Sequence, residues 1–188
     1  PVTLALPGKH NISNALIAAA LTSEFDVSLD EIASALATMG EVKGRVNLIE
    51  ASDSLTIIDD TYNANPLSLS AAIDVLTEME GESCLVLGDM AELGELADEL
   101  HFEAGKQARQ MGVKKLFAMG ELSRNAVKGF GEGAEFYEDR DALIKAVLEN
   151  IDASTTVLVK GSRSMAMENV VSALVLNDNN NKNKQRAS

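Results

Sequence analysis

The sequence predicts an α/β protein: a doubly wound parallel sheet with helices on both faces, preceded by a short helical segment. Two observations carry this reading. From Val46 onward, β-rich runs at 55–58, 85–87, 116–118, 135–137 and 155–159 alternate with helical stretches near 67–79, 95–111, 121–129, 140–150 and 164–175. Parallel neighbours need crossovers of about a dozen residues or more, and the intervening stretches supply them. The chain also has 188 residues, 46% hydrophobic and 24% charged, which is a globular composition. A chain of this size buries roughly 70% of the surface it exposes when unfolded, enough for one full core and a smaller appendage.

In chain order, a strand-like run over 2–6 follows directly on Pro1, so residues before it are expected to have been removed. Pro7-Gly8 then marks a turn. The Ala-rich stretch 11–21 sets Ile12, Ala15, Leu16 and Ala19 on one stripe, predicting a buried helix. Ser28 with Glu31 three residues on is a capping-box pattern, opening a helix from Leu29 to about Met39 that Gly40 ends. The polar stretch Glu41-Val42-Lys43-Gly44-Arg45 is a boundary, dividing the chain into 1–42 and 43–176. Within the larger part, Asn65-Pro66 reads as an N-cap with proline at the first helical position, and Gly112 as a C-terminal cap. Residues 177–186 contain nothing apolar to offset the entropy of ordering, so 177–188 is predicted to be a disordered tail.

Charge and composition exclude several functions. The net charge is −13, the reverse of what holds polyanionic nucleic acid or an anionic membrane surface. No run approaches the ~20 apolar residues of a bilayer span, and no signal peptide opens the chain, so a cytoplasmic protein is expected. One cysteine, Cys84, precludes an internal disulfide.

In a doubly wound sheet, ligands bind beyond the carboxyl ends of the strands, which directs attention to four polar turns. These are Asp59-Asp60-Thr61-Tyr62-Asn63-Ala64-Asn65-Pro66, Gly88-Asp89-Met90, Gly120-Glu121 and Lys160-Gly161-Ser162-Arg163. The last has the parts of an anion site: a glycine, two cations and a helix start. It equally fits a tight turn with Ser162 or Ser164 as N-cap. Lys9, Lys43, Arg45, Lys160 and Arg163 all lie beside glycine turns, so the scarce positive charge is directed at a small anion. Asp59-Asp60 could hold a metal, a ribose hydroxyl or an amine, or could cap a helix. His10 and His101 have no metal-ligand spacing; His101 reads as a surface or packing residue, while His10, beside Asn11 and Asn14, is open to either role.

Other chemistry is missing from the sequence. It has no G-x-x-x-x-G-K-[ST] phosphate loop and no G-x-S-x-G elbow. The loose G-x-G-x-x-A over 129–134 lies between a helix and a strand, the reverse of the dinucleotide fingerprint, and reads as a loop. Cys84 sits within a strand without an evident base, and Met90, Met165 and Met167 read as packing residues.

Five motifs, in this order, resemble the Mur ligases: Pro7-Gly8-Lys9-His10-Asn11-Ile12-Ser13-Asn14-Ala15, Gly44-Arg45, Asp59-Asp60-Thr61-Tyr62-Asn63-Ala64-Asn65-Pro66, Gly88-Asp89-Met90-Ala91-Glu92-Leu93-Gly94 and Lys160-Gly161-Ser162-Arg163-Ser164-Met165-Ala166-Met167-Glu168. The likeness covers about residues 3–175, and the last three motifs are the discriminating ones. It implies that 1–42 ends a central ATP-binding domain and that 43–176 is a C-terminal Rossmann-like domain, with the remaining N-terminal and central portions upstream. The implied reaction joins D-alanyl-D-alanine to UDP-N-acetylmuramoyl-tripeptide in peptidoglycan synthesis, using ATP and Mg²⁺ through an acyl phosphate. The phosphate loop, the Mg²⁺ ligands and a carbamylated lysine would lie upstream, leaving the fragment alone inactive. By the same resemblance, His10 and Asn14 would contact the adenine, Asp60 the ribose and Arg45 the γ-phosphate side, as the catalytic residue. Asn63, Asn65, Ser162 and Arg163 would serve the peptide substrates, and Lys43-Gly44 would act as a hinge. Folylpolyglutamate synthetase, another ligase of the superfamily, and a non-catalytic nucleotide- or peptide-binding module are the alternatives.

Overall fold

A computed structural model describes residues 2–4, 9–39, 43–51, 55–152 and 154–186; for 9, 10 and 178–186 it describes the backbone alone. The chain forms two compact units, Pro1–Val42 and Lys43–Ser188.

The first unit contains α1 (Lys9–Thr22), a 3-10 turn at Ser23–Phe25 and α2 (Leu29–Ala37). The expected capping box is present: Glu31 N donates to Ser28 Oγ (3.3 Å) and Ser28 N donates to Glu31 Oε2 (3.0 Å). Hydrogen bonds from the Ser28 side chain and backbone hold the Glu31 carboxyl below the usual carboxylate range. Ile32 and Leu36 of α2 are buried. The stripe expected to bury α1 is instead open, with Ile12 and Leu16 exposed together with Ile17 and Leu21. Two short helices enclose only one side of one another, so an apolar stripe on the other side stays uncovered within this unit. Residues 2–4 are not in a strand, contrary to expectation; Pro7-Gly8 and Gly40 lie outside the described residues. An extended run without a neighbour to pair with has no ladder to join.

The second unit is built on β1 (Asn47–Glu50), β2 (Thr56–Asp60), α3 (Pro66–Glu78), β3 (Glu82–Leu87), α4 (Ala97–Gln110), β4 (Lys115–Met119), α5 (Ser123–Phe130), β5 (Ala134–Tyr137), α6 (Arg140–Asn150), β6 (Thr155–Lys160) and α7 (Glu168–Arg186). The six strands lie in the order β1-β2-β6-β3-β4-β5. The five from β2 to β6 are parallel, as the alternation predicts, whereas β1 pairs antiparallel with β2. The sequence reading did not mark β1, a four-residue strand with no helix between it and β2 to give the crossover signal.

Alternation along the strands divides two cores. Ile58, Leu85, Leu87, Leu116, Ala118 and Leu158 pack with α3, α4 and α5 on one face. Ile57, Cys84, Val86, Phe117, Val157 and Val159 pack with α6 and α7 on the other. Asn65 caps α3 through its side chain, accepting from Ser68 N (2.8 Å), with Pro66 at the first position as expected. The helical backbone of α7 continues to Arg186, where composition predicts disorder from 177. Val170, Val171 and Leu174 anchor its first turns in the core, and each later residue adds a hydrogen bond without a new nucleation step.

Helices α4 and α5 cross backbone to backbone at glycines. A Cβ on Gly105 would stand 1.9 Å from the Ala126 carbonyl oxygen, and one on Gly129 would stand 2.0 Å from that of Phe102. Gly105→Ala is therefore expected to force the helices apart and lower stability by about 1–3 kcal/mol, read as a lower urea midpoint at unchanged slope. A midpoint equal to that of the native chain would refute the close crossing.

Candidate functional site

The parallel register sets Asp60 at the end of β2 directly beside Lys160 at the end of β6. Both are buried, with side chains 9% and 2% exposed, and they form an ion pair. Lys160 Nζ also donates to the Asn63 carbonyl (2.9 Å), and the second carboxylate oxygen of Asp60 accepts from Val46 N (3.2 Å). Burial pushes the Lys160 ammonium down from its ordinary pKa; the charge and hydrogen bond of Asp60 oppose the fall and nearby Arg45 adds to it.

The turn before β1 is drawn onto this pair. Tyr62 N donates to the Gly44 carbonyl (2.9 Å). Gly44 has φ +74°, and a Cβ there would meet Tyr62 N at 3.0 Å, so the position requires glycine on both counts. Val46 has φ +52°, a conformation that β-branched residues rarely adopt. Its amide is the one that Asp60 holds. Between them, Arg45 is exposed and its guanidinium lies 4.6 Å from the centre of the Tyr62 ring.

The other strand ends join the same edge. Gly88 N donates to the Lys160 carbonyl (2.8 Å), Ser162 N to the Asp89 carbonyl (2.9 Å), and Ala91 N to Ser162 Oγ. Asp89 Oδ1 accepts from Ser123 N and Ser123 Oγ, both at 2.8 Å, fastening the start of α5. His101 is wholly buried and its Nε2 accepts from Met90 N (2.9 Å), so its proton resides on Nδ1 and is given to the Ala97 carbonyl (2.7 Å). It is a packing residue, one of the two roles expected for it. The four polar turns therefore form one continuous edge, running from Gly44 to Ser123.

Of the expected site residues, the structure gathers Arg45, Asp60, Asn63, Ser162 and Arg163 along this edge, with different exposures. Asp60 is sequestered in its ion pair, and Ser162 is 2% exposed and committed to the turn after β3. Asn63 is exposed, its Oδ1 accepting from Ala64 N (2.9 Å), while Asn65 serves as the α3 cap. Arg163 projects outward and pairs with Glu168 (2.8 Å). Burial alone would raise the Glu168 carboxyl, but its backbone hydrogen bond and the charges of Arg163 and Arg140 hold it below the usual range. Asn14 lies in the first unit, exposed, donating to Asn11 Oδ1 (3.2 Å); the His10 side chain lies outside the described residues.

The anion-site reading of Lys160-Gly161-Ser162-Arg163 changes in two respects. Lys160 is buried, leaving Arg163 as the exposed cation of the pair, and a 3-10 turn at Arg163–Met165 precedes α7, which begins at Glu168. Gly161 serves a close approach within the protein: a Cβ there would meet Met167 Cγ at 2.7 Å and Gly88 Cα at 3.2 Å. The residues missed at the sequence level are Lys160 as the partner of Asp60 and Tyr62 as that of Arg45. The first had a signal: a lysine closing the apolar run Val157-Leu158-Val159 has to meet an acid at a neighbouring strand end. Among the described residues, no cluster of three His, Cys, Asp or Glu could hold a metal ion.

A doubly wound sheet with a single polar edge across its strand ends defines an α/β domain of the Rossmann-like class. Residues 44–163 match the family described as Mur ligase, glutamate ligase domain, and the chain belongs to the Mur ligases. It is 43% identical over 175 residues to the UDP-N-acetylmuramoyl-tripeptide--D-alanyl-D-alanine ligase of Escherichia coli, covering 92% of this chain and 38% of that protein. It is 35% identical to the ligase of the same name from Bacillus subtilis, covering 89% of this chain and 38% of that one. Among solved structures, MurF from Acinetobacter baumannii superposes with a TM-score of 0.86 at 31% identity, over 93% of this chain and 39% of that chain. The chain thus spans well under half the length of these relatives. Folylpolyglutamate synthase of Mycobacterium tuberculosis, at TM-score 0.63 and 19% identity, shares the fold.

Cys84 is wholly buried, and loss of hydration pushes its thiol up to about 12. It is expected to stay unmodified by an aromatic disulfide reagent at pH 8 in the folded chain and to react fully in guanidinium. Rapid labelling before unfolding would show that the strand opens locally.

Proposed function

We propose that this chain is the C-terminal portion of an ATP-dependent amide ligase that joins D-alanyl-D-alanine to UDP-N-acetylmuramoyl-tripeptide in the cytoplasm. The observation that carries the reading is the identity of 43% across 92% of the chain with the E. coli ligase of that specificity. In the proposed reaction, a carboxylate oxygen of the nucleotide-tripeptide attacks the γ-phosphorus of ATP, giving an acyl phosphate and ADP. The dipeptide amine then adds to the acyl carbon, and the tetrahedral intermediate expels phosphate as the amide forms and the amine loses its proton. The relevant contributions of such a domain are charge stabilisation and positioning.

Arg45 is the residue of this chain best suited to the transferring phosphate. It is exposed, fixed from below by the Tyr62 ring and, among the described residues, in no ion pair with a carboxylate. A guanidinium stacked in this way keeps its donors available for phosphoryl oxygens. Asn63 and Arg163, both exposed on the same edge, are proposed to meet the peptide substrates, with Arg163 exchanging Glu168 for a carboxylate. Asp60 and Ser162 support the edge from within, and Asn65 keeps α3 in place. His10 and Asn14 remain the proposed adenine contacts of the first unit. Mg²⁺ would be held by residues outside those described.

The complete protein should release phosphate from ATP only when both the nucleotide-tripeptide and D-alanyl-D-alanine are supplied. Dependence on glutamate in place of the dipeptide would instead identify a folylpolyglutamate-type ligase. Arg45→Ala is expected to reduce kcat by about 100-fold or more while changing the melting temperature little, because an exposed guanidinium contributes little to the core. Equal losses of activity and stability would assign Arg45 a structural role. The 188-residue chain alone is expected to show no ATPase activity, and turnover at the rate of the complete enzyme would overturn this division.

A further inference from the structure

Three facts converge on one buried side chain. The Arg45 guanidinium rests on the Tyr62 ring, yet the two residues sit on separate turns, one before β1 and one after β2. Each turn is held from beneath by a link to Lys160. Its ion pair with Asp60 fixes the carboxylate that accepts from Val46 N, next to Arg45. Its second hydrogen bond goes to the carbonyl of Asn63, next to Tyr62 (2.9 Å). Val46 adopts φ +52°, so the turn carrying Arg45 is not one the chain would adopt unaided. A restraint has to hold it, and the Asp60 carboxylate does so.

We infer that Lys160 is a positioning residue, one buried ammonium that sets both halves of the Arg45–Tyr62 stack. The inference rests on the proposal that Arg45 serves the transferring phosphate, but its geometry is testable apart from that proposal. Lys160 does not touch the reacting atoms; it acts through Asp60 and Asn63 on the residues that do. A positioning lysine also explains why a wholly buried strand, apolar from Val157 to Val159, ends in a charge with 1% exposure. Packing alone would be met by methionine or leucine, and neither would donate to two turns at once.

The chain has two tyrosines and no tryptophan, so in a Tyr137→Phe background the near-ultraviolet circular dichroism reports chiefly on Tyr62. Lys160→Met is expected to reduce the tyrosine band to the level seen in Arg45→Ala while the far-ultraviolet spectrum is retained. Should the unpaired Asp60 prevent folding, Lys160→Met with Asp60→Leu replaces the ion pair by apolar groups and should give the same spectral loss. A native-level band in the folded variant would overturn the inference. In the unsubstituted 188-residue chain, the Val46 amide should exchange with solvent at least about tenfold more slowly than the amide of Lys43, an exposed residue, and equal rates would also overturn it. In the complete ligase, Lys160→Met should reduce kcat about tenfold or more with the KM for the dipeptide unchanged. A lost tyrosine band with undiminished turnover would uphold the positioning and reject the role of Arg45 instead.

Discussion

The polar edge of the larger unit depends on an ion pair that water hardly reaches. Removing two charges from solvent is costly, and such a pair often stabilises a fold no more than two well-packed apolar residues would. Its value here is geometric. The strands β2 and β6 are far apart in sequence and adjacent in space, and Asp60 and Lys160 are opposite one another because the register makes them so. Losing either partner would leave the other charged and buried, at a cost of about 3–5 kcal/mol. Such a penalty selects one arrangement of the strand ends, and the turns above inherit it.

The sheet topology determines what those turns can do. The strands β6 and β3 are parallel neighbours, and the connections leaving them lead to helices on opposite faces of the sheet. A crevice at such a point is the usual ligand position of a doubly wound sheet. Here the turns after β3 and β6 close on each other through Ser162, Asp89 and Gly88, which leaves little there that is free to move. The exposed groups proposed to meet the substrates lie to one side, on the turns around β1 and β2 and at Arg163. The closed crevice therefore acts as a rigid floor, and the groups available to a ligand stand on its border.

Much of this was legible in the sequence because it is encoded locally. Strand and helix alternation, the Ser28 capping box and the Asn65-Pro66 start of α3 each lie within a few residues and follow from short-range chemistry. The unit boundary at Lys43 followed similarly from a change of pattern, and the compact units divide at the same place. What escaped notice depends on distant residues meeting. The antiparallel β1 has no crossover to announce it, the pairing of Asp60 with Lys160 needs a strand order that no local rule supplies, and the exposed stripe of α1 is apolar in sequence whether or not anything covers it. For the tail beyond 176, composition considers the segment alone, whereas the described backbone continues a helix anchored by Val170 and Leu174.

The charge distribution completes the physical argument. A chain with net charge −13 ought to repel a phosphate, yet screening at physiological salt limits each surface charge to about 8 Å. Within that range of the edge, Asp60 and Lys160 cancel one another, and Asp59 is turned inward to accept from Thr61 Oγ1 (2.6 Å). Arg45 stands exposed on this edge, although acids outnumber bases over the whole chain. A long polyanion would span several screening lengths and meet the acidic surface, whereas a compact anion would meet mainly the arginine. Pairing the buried carboxylate with a buried lysine takes both charges out of the net balance of the edge, so the interaction that shapes the turn also bears on the charge it presents.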